Sequence, residues 1–234
     1  MQQYKRILIK ISGEALAGAN GHGIDFDQAA QVCRNIGKAA SKGTEVALVV
    51  GAGNFWRGRQ GTNLDQVKAD QMGMLGTMIN ALALQEIFRM EGQAAVVFSA
   101  IVMPQISETY TKDNAVRALQ EGKIVIFGGG TGSPFFTTDT TAALRAVEIN
   151  ADLALMAKNI DGVYDKDPRK FSDAKKLKTV TYREILAQKL GVIDMTAASL
   201  CMDNNLPVLL FELGNGENIL RVLQGEHIGT IICN

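Results

Sequence analysis

The chain has 234 residues, 47% of them hydrophobic, and its 24 Lys and Arg balance 24 Asp and Glu to a formal net charge of +0. That length suits one large α/β domain or two small ones with ample material for a core, and the charge balance offers no general attraction to nucleic acid or an anionic membrane. Cys33, Cys201 and Cys233 are too scattered for a disulfide framework or a zinc site, no run reaches the ~18 apolar residues of a membrane span, and nothing at the N-terminus resembles a signal peptide, so a cytoplasmic protein with reduced, packed thiols and no protein-held metal is expected.

The first predicted strand, Arg6 to Ile11, runs into Ser12-Gly13-Glu14. A helix over Phe26 to Lys42 leads to a second strand, Glu45 to Val50, which empties into Gly51-Ala52-Gly53-Asn54. The next helix, Leu64 to Met90, carries Met72, Met74, Leu75, Met78, Ile79, Leu82, Leu84 and Ile87 around most of its second half. A helix apolar on all sides must be buried, here between the sheet and either the rest of the chain or a second subunit, for which adaptable methionines are suited. Strand Ala94 to Phe98 and helix Asn114 to Glu121 follow, then strand Lys123 to Phe127, a run of glycines and hydroxyls from Gly128, and a helix over Asp139 to Asn150. The remainder predicts strand Leu153 to Met156, helices Tyr182 to Leu190 and Asp194 to Asn204, strand Val208 to Glu212, helix Asn218 to Leu223 and strand Thr230 to Cys233. This alternation reads as α/β, and the continuous apolar strands suit a sheet covered on both faces. No linker marks a domain boundary. The polar stretch from Asp165 to Lys176 is the expected mobile loop, separating a phosphate-loop half, 1–150, from a second half, 151–234.

Three strand ends carry anion-friendly loops: Ser12-Gly13, Gly51-Ala52-Gly53-Asn54, and Gly128-Gly129-Gly130-Thr131-Gly132-Ser133. Free amides at a helix start favour anions, and in open α/β sheets ligands collect beyond the carboxyl ends of the strands. One shared phosphate crevice is therefore expected. Lys10 can extend from its strand end into that crevice and neutralise a phosphate in transfer. No Walker loop, protein-kinase Gly-rich loop or dinucleotide glycine spacing occurs, so the cradle is of another design. His22 and His227 sit near no convincing nucleophile, which suits a phosphate acceptor that is mostly ionised near neutral pH and needs no base. Arg57 can grip a phosphate with its planar fork, Asp70 can accept from sugar hydroxyls, and Phe135 and Phe136 can pack a base or close the core.

Lys10-Ile11-Ser12-Gly13-Glu14-Ala15-Leu16, Gly51-Ala52-Gly53-Asn54-Phe55-Trp56-Arg57-Gly58, Asp70-Gln71-Met72-Gly73-Met74 and Thr131-Gly132-Ser133-Pro134-Phe135-Phe136-Thr137-Thr138-Asp139 together resemble the bacterial uridylate kinases of the amino-acid kinase superfamily. The run Ala157-Lys158-Asn159-Ile160-Asp161-Gly162-Val163-Tyr164-Asp165-Lys166-Asp167-Pro168 continues a resemblance that covers essentially the whole chain. It implies a single domain over 1–234, a three-layer α/β/α sandwich with a mostly parallel central sheet, and transfer of the γ-phosphoryl of Mg-ATP to UMP for pyrimidine nucleotide synthesis. By the same resemblance Lys10, Ile11, Ser12, Gly13, Gly53 and Arg57 face the ATP phosphates, and Lys158, Asn159, Tyr164 and Asp167 form the adenosine side. Ala52, Asp70 and Thr131, Gly132, Ser133, Pro134, Phe135, Phe136, Thr137 and Thr138 form the UMP site, and Asp139 orients the lysine. It further implies a homohexamer built as a trimer of dimers, activated by GTP and inhibited by UTP, with Gly18, Ala19, Asn20, Gly21, His22 and Gly23 as the GTP-response loop. Ala52 departs from the glycine common in the family, which matters only if φ is positive there or a phosphate approaches that backbone closely. Two rivals remain: a superfamily kinase for a small acid, and a nucleotide-binding storage or sensor protein without catalysis.

Overall fold

A computed structural model describes residues 4–56, 63–166, 168, 170–188, 190–214, 216–226 and 228–234. In chain order the elements are β1 (Arg6–Ile11), α1 (Phe26–Ala40), β2 (Glu45–Val50), α2 (Gln66–Met90), β3 (Ala95–Ser99), β4 (Glu108–Thr109), α3 (Lys112–Gln120), β5 (Ile124–Gly128) and α4 (Thr138–Glu148). There follow β6 (Leu153–Lys158), β7 (Val163–Tyr164), β8 (Lys176–Leu177), β9 (Thr179–Thr181), α5 (Tyr182–Gln188), α6 (Met195–Asp203), β10 (Val208–Glu212), α7 (Glu217–Leu223) and β11 (Thr230–Cys233).

Nine strands form one sheet in the order β4-β3-β5-β2-β1-β6-β10-β11-β9. All neighbours run parallel except β10 and β11. The chain begins at the middle of this sheet, builds outward through β2, and returns to lay β6 on the other flank of β1. That reversal of direction opens a crevice beyond the carboxyl ends of β1 and β6, where ligands of open α/β sheets collect.

Strand alternation divides the core into two layers. Ile7, Ile9 and Ile11 of β1, with Leu153, Leu155 and Ala157 of β6, pack on one face with Val32 and Ile36 of α1, Leu84 and Phe88 of α2, and Ile219 of α7. Leu8 of β1, with Ala154 and Met156 of β6, packs on the other with Leu119 of α3, Ala142 and Ala146 of α4, Ile185 of α5 and Ala197 of α6. The result is a three-layer α/β/α sandwich. Even-numbered residues of β1 and β6 thus face the α4 layer, and the polar end of each strand inherits that direction.

Helix starts follow their caps. Asp25, Asp65, Thr111, Thr137 and Asp194 each accept a backbone amide of the following turn, satisfying donors that the helix itself cannot. Helix α4 therefore begins at Thr138, not at Asp139 as the apolar periodicity predicts, because Thr137 rather than a later residue carries the capping oxygen. Strands β4, β7, β8 and β9 were not expected: they are two or three residues long and lack the apolar run that marks a strand in sequence. The polar stretch after Asp165 joins β7 to β8 as a hairpin, fastened by Asp165 N to Lys175 O (3.1 Å), Lys175 N to Asp165 Oδ1 (2.8 Å) and the Lys166–Asp173 ion pair. All three cysteines are free thiols, and burial pushes those of Cys33 and Cys201 up to about 12. Among the described residues, no helix is long and apolar enough to cross a membrane.

Candidate active site

Two lysines and one carboxylate converge at the α4 end of the crevice. Lys10 stands opposite Val49 of β2 and Met156 of β6, and Lys158 extends β6 two residues past Met156 on the same face. Both ammoniums meet Asp139 in the first turn of α4: Lys10 Nζ lies 3.3 Å from Oδ1 and Lys158 Nζ pairs with Oδ2. Lys10 and Asp139 are 7% and 8% exposed. Burial lowers the pKa of Lys10, with Asp139 opposing the effect and Lys158 reinforcing it. Burial alone would raise the Asp139 carboxyl, but the Lys10 and Lys158 charges together outweigh it and hold the group below its usual value. The trio carries one surplus positive charge in a mostly dry setting, where charge interactions are strongest.

The loops around this trio are braced from α2. Asn54 and Asn80 exchange side-chain amide hydrogen bonds at 2.9 and 2.8 Å. Asn80 also donates to Gly51 O at 2.8 Å, and the Asn54 amide donates to Gly23 O at 2.7 Å. The β1 and β2 loops touch so closely that a Cβ on Gly13 would lie 2.3 Å from Asn54 Oδ1 and 2.7 Å from Gly51 O, so only glycine fits there. Thr77 of α2 accepts the amide of Gly129 at 2.9 Å, and Gly129 has φ +76° with Ser99 Oγ close beneath it, a conformation that side chains disfavour. Ala52 does not have positive φ. Its methyl instead faces Gly76 of α2, where an added Cβ would come within 2.9 Å of it.

Two cavities flank the trio. The larger, about 580 Å³, is lined by Lys10, Asp139, Lys158 and the polar pair Thr137 and Thr138, with Ile185, Leu186, Gly191, Ile193, Asp194 and Met195 as its far wall. The smaller, about 270 Å³, is lined by Ala52, Gly53, Trp56, Asp70, Met74, Thr77, Gly130, Thr131, Ser133, Phe136, Thr141 and again Thr137 and Thr138. The cavities therefore share one wall, the start of α4 at Thr137 and Thr138, where the helix dipole favours anions. Asp70 sits at the smaller cavity, its Oδ2 accepting the Phe135 amide at 2.8 Å and its Oδ1 the Gln66 side chain at 2.7 Å. Phe135 holds φ +71°, an uncommon backbone for a bulky residue. Trp56 Nε1 donates to Ala69 O at 2.8 Å, tying the β2 loop to the beginning of α2.

Of the residues singled out in the sequence, Lys10, Ala52, Gly53, Asp70, Thr131, Ser133, Phe136, Thr137, Thr138, Asp139 and Lys158 line the two cavities, and Gly53, expected at the ATP phosphates, lines the smaller one. Lys158, expected on the adenosine side, lines the larger cavity and pairs with Asp139, because β6 continues two residues beyond the predicted end and pleat alternation turns its last side chain toward α4. Asn159 reaches Glu14 Oε2 at 3.4 Å, and Tyr164 on β7 donates to Asp161 Oδ1 at 2.9 Å; neither is among the residues lining the two cavities. Gly132, Pro134 and Phe135 belong to the loop over the smaller cavity but do not line it. Ile11 and Ser12 lead from β1 into the Gly13 turn, and Ile11 O accepts the Gly51 amide at 2.9 Å. Arg57 and Asp167 lie outside the described residues. Residues 18 to 23 form a short helical turn and bend, and Gly23 N donates to Asn54 O at 2.9 Å. The far wall from Ile185 to Met195 was not anticipated. Its one sequence signal is an acid, Asp194, flanked by Ile193 and Met195.

A family model described as the amino acid kinase family matches residues 5–212. Among solved structures, the chain is similar to a UMP kinase from Bacillus anthracis, with 37% identity over 99% of this chain and 97% of that one and a TM-score of 0.95. It is similar also to a UMP kinase from Ureaplasma parvum, with 36% identity, full coverage of both chains and a TM-score of 0.93. A uridylate kinase from Archaeoglobus fulgidus, at 24% identity over 97% of this chain and 99% of that one, shares the fold with a TM-score of 0.72.

Proposed function

The chain belongs to the amino acid kinase family, and from that premise we infer that it is a UMP kinase, moving the γ-phosphoryl group of ATP to UMP to give UDP and ADP. The observation that carries this reading is the shared wall: two cavities of unequal size meet at Thr137 and Thr138, beside Lys10, Asp139 and Lys158. Two anionic ligands whose phosphates converge there are aligned for direct transfer, which makes the step effectively unimolecular.

UMP occupies the smaller cavity, its ribose hydroxyls toward Asp70 and its base against Phe136 and Trp56. ATP occupies the larger one, its adenine against Ile185, Ile193 and Met195. The Lys10 and Lys158 ammoniums offset charge on the moving group, with the α4 dipole directed at it and the glycine loops close by. Asp139 keeps both ammoniums aimed at one point while they wait for phosphate. The acceptor is an ionised phosphate oxygen and needs no general base. Mg²⁺ enters with ATP. Because both Asp139 oxygens are engaged by lysines, such an ion would be held chiefly by phosphate oxygens and water and would supply charge neutralisation beside that of the lysines.

The same reading assigns a single domain, residues 1–150 holding UMP and the phosphate loops and residues 151–234 the ATP side, in a cytoplasmic homohexamer activated by GTP and inhibited by UTP. Support for a regulatory role of Gly18 to Gly23 is the two-way hydrogen bonding between Gly23 and Asn54, which joins that turn to the phosphate loop. Arg57 and Asp167 complete the ATP side in this assignment.

ADP release measured with Mg-ATP against UMP, CMP, dUMP, glutamate, aspartate and carbamate tests the proposal. UMP is expected to be the preferred acceptor. Lys10→Ala should lower kcat by about 10²–10³-fold, the usual size for loss of one preorganised charge contact, with KM for UMP changed far less. Preference for any of the acids, or no ADP release at all, would overturn the reading in favour of a small-acid kinase or a non-catalytic binder.

A further inference from the structure

The start of α4 is held by a residue that the sequence reading left unassigned. Asp194 lies just before α6 and accepts the Ala197 amide at 2.8 Å as that helix's cap. The same carboxylate reaches across the larger cavity's wall to α4: the Thr137 hydroxyl donates to Oδ2, and the Thr140 hydroxyl lies 3.0 Å from both oxygens. Thr137 Oγ1 in turn accepts the amides of Asp139 and Thr140, each at 3.1 Å.

A hydroxyl has one proton and two lone pairs. At Thr137 the proton goes to Asp194 and both lone pairs go to α4 amides, one of them the amide of the residue that spans Lys10 and Lys158. The Asp194 carboxylate therefore decides which way the Thr137 hydroxyl points, and the Thr137 oxygen decides where the Asp139 backbone sits. Without an anionic acceptor the hydroxyl is free to turn its proton toward the amides, where it can no longer cap them.

We propose that Asp194 is a positioning residue for phosphoryl transfer, acting through the Thr137 and Thr140 hydroxyls to hold Asp139, and with it the two ammoniums, at the point where the cavities meet. This rests on the reading of the site as a UMP kinase. It goes further by giving α6 a part in turnover. Asp194 contacts no reacting atom in this account; its effect falls on kcat, because a misplaced charge is felt most by the transition state.

The test uses the full-length protein and Asp194→Asn. Asparagine caps a helix about as well as aspartate, so the α6 start and the melting temperature are kept, while the charged acceptor is lost and an amide donor faces Thr140. We expect kcat to fall by about tenfold or more with both KM values within about twofold. Thr137→Val, which removes the hydroxyl, should lower kcat about as far as Asp194→Asn does. Combining Thr137→Val with Asp194→Asn should cost little beyond either alone, because the two act in one chain of hydrogen bonds. Multiplicative losses in the double variant, unchanged kcat in Asp194→Asn, or KM values and a melting temperature that move together with kcat in Asp194→Asn would each overturn the positioning role. Should Asp194→Asn fail to fold, Thr140→Val combined with Thr137→Val reads the same coupling with the α6 cap intact. An unchanged protein that makes no UDP would sink the proposed function itself, whereas UDP formation indifferent to these changes sinks only the role of Asp194.

Discussion

At the scale of single residues, the surplus positive charge of the Lys10–Asp139–Lys158 group sets how the site should respond to pH. Lys10 aids transfer only when protonated, and burial with a neighbouring Lys158 lowers its pKa from 10.5 despite the attraction of Asp139. Its proton is therefore lost earlier than from an ordinary lysine, and activity should fall as pH rises through that lowered value. The limb belongs to the free enzyme and is read in kcat/KM; bound phosphates favour the charged form, so in kcat it should move to higher pH. Lys10→Arg, slower because the fork does not fit a point-charge site, stays charged throughout and should abolish the limb. A limb of unchanged position in that variant would mean that another group causes it. Lys10 was singled out because it closes a strand beside glycines and Asp70 because it sits on the early polar turn of a helix, whereas the parts given to Asp139 and the threonines came from the family resemblance. Asp194 was not singled out, since its partners are Thr137 and Thr140, more than fifty positions away, and an acid before an apolar helix reads only as a cap.

At the scale of elements, what joins the β2 loop to α2 explains the tolerance of Ala52. The methyl that a glycine would lack at position 52 occupies the space left by Gly76, at ordinary backbone angles. The two positions hold one methyl between them. Gly76→Ala should therefore destabilise the protein, by about 1–3 kcal/mol for overpacking less about 1 kcal/mol of helix propensity gained on leaving glycine. Ala52→Gly in the same chain should remove the clash and leave the propensity gain, so that the double variant melts at or above the wild-type temperature. Denaturant unfolding of the four proteins measures the coupling, and effects that simply add would refute the shared-space account. The strongly apolar strands and the capped helices were readable because burial and capping leave local marks. Strands β4, β7, β8 and β9 were not, because their pairing comes from the sheet edge and a hairpin rather than from their own residues. The end of β6 lay between these cases: Ala154, Met156 and Lys158 alternate on one face, and a polar residue closing an apolar strand hid its last step.

At the scale of the whole molecule, α2 has a side that the sheet does not cover. The expectation of a helix buried all round is met on the inner side by Met78, Leu84 and Phe88, which are 2% exposed or less. On the outer side Met72, Leu75 and Ile79 are 43%, 48% and 51% exposed, at the three- and four-residue steps of a single helical stripe, and half-exposed Phe55 adds to it near Gly76. A contiguous exposed apolar stripe marks an interaction surface, and methionine suits a surface that packs against a second copy. The proposed hexamer needs interfaces of about 800 Å² per partner, and this stripe is the natural centre of one. The helix also lends Asp70, Gly73, Met74 and Thr77 to the smaller cavity, so association would stiffen the UMP side of the site. Leu75→Glu with Ile79→Glu, both on the exposed stripe, should leave the fold intact but shift the mass measured by light scattering from an oligomer to a monomer. KM for UMP should rise several-fold in the monomer, because the start of α2 that carries Asp70 loses its outer support, while the Lys10 end of the site, set by β1 and α4, keeps its geometry. A wild-type protein that runs as a monomer at micromolar concentration would leave the stripe unexplained by self-association and remove the reason for that coupling.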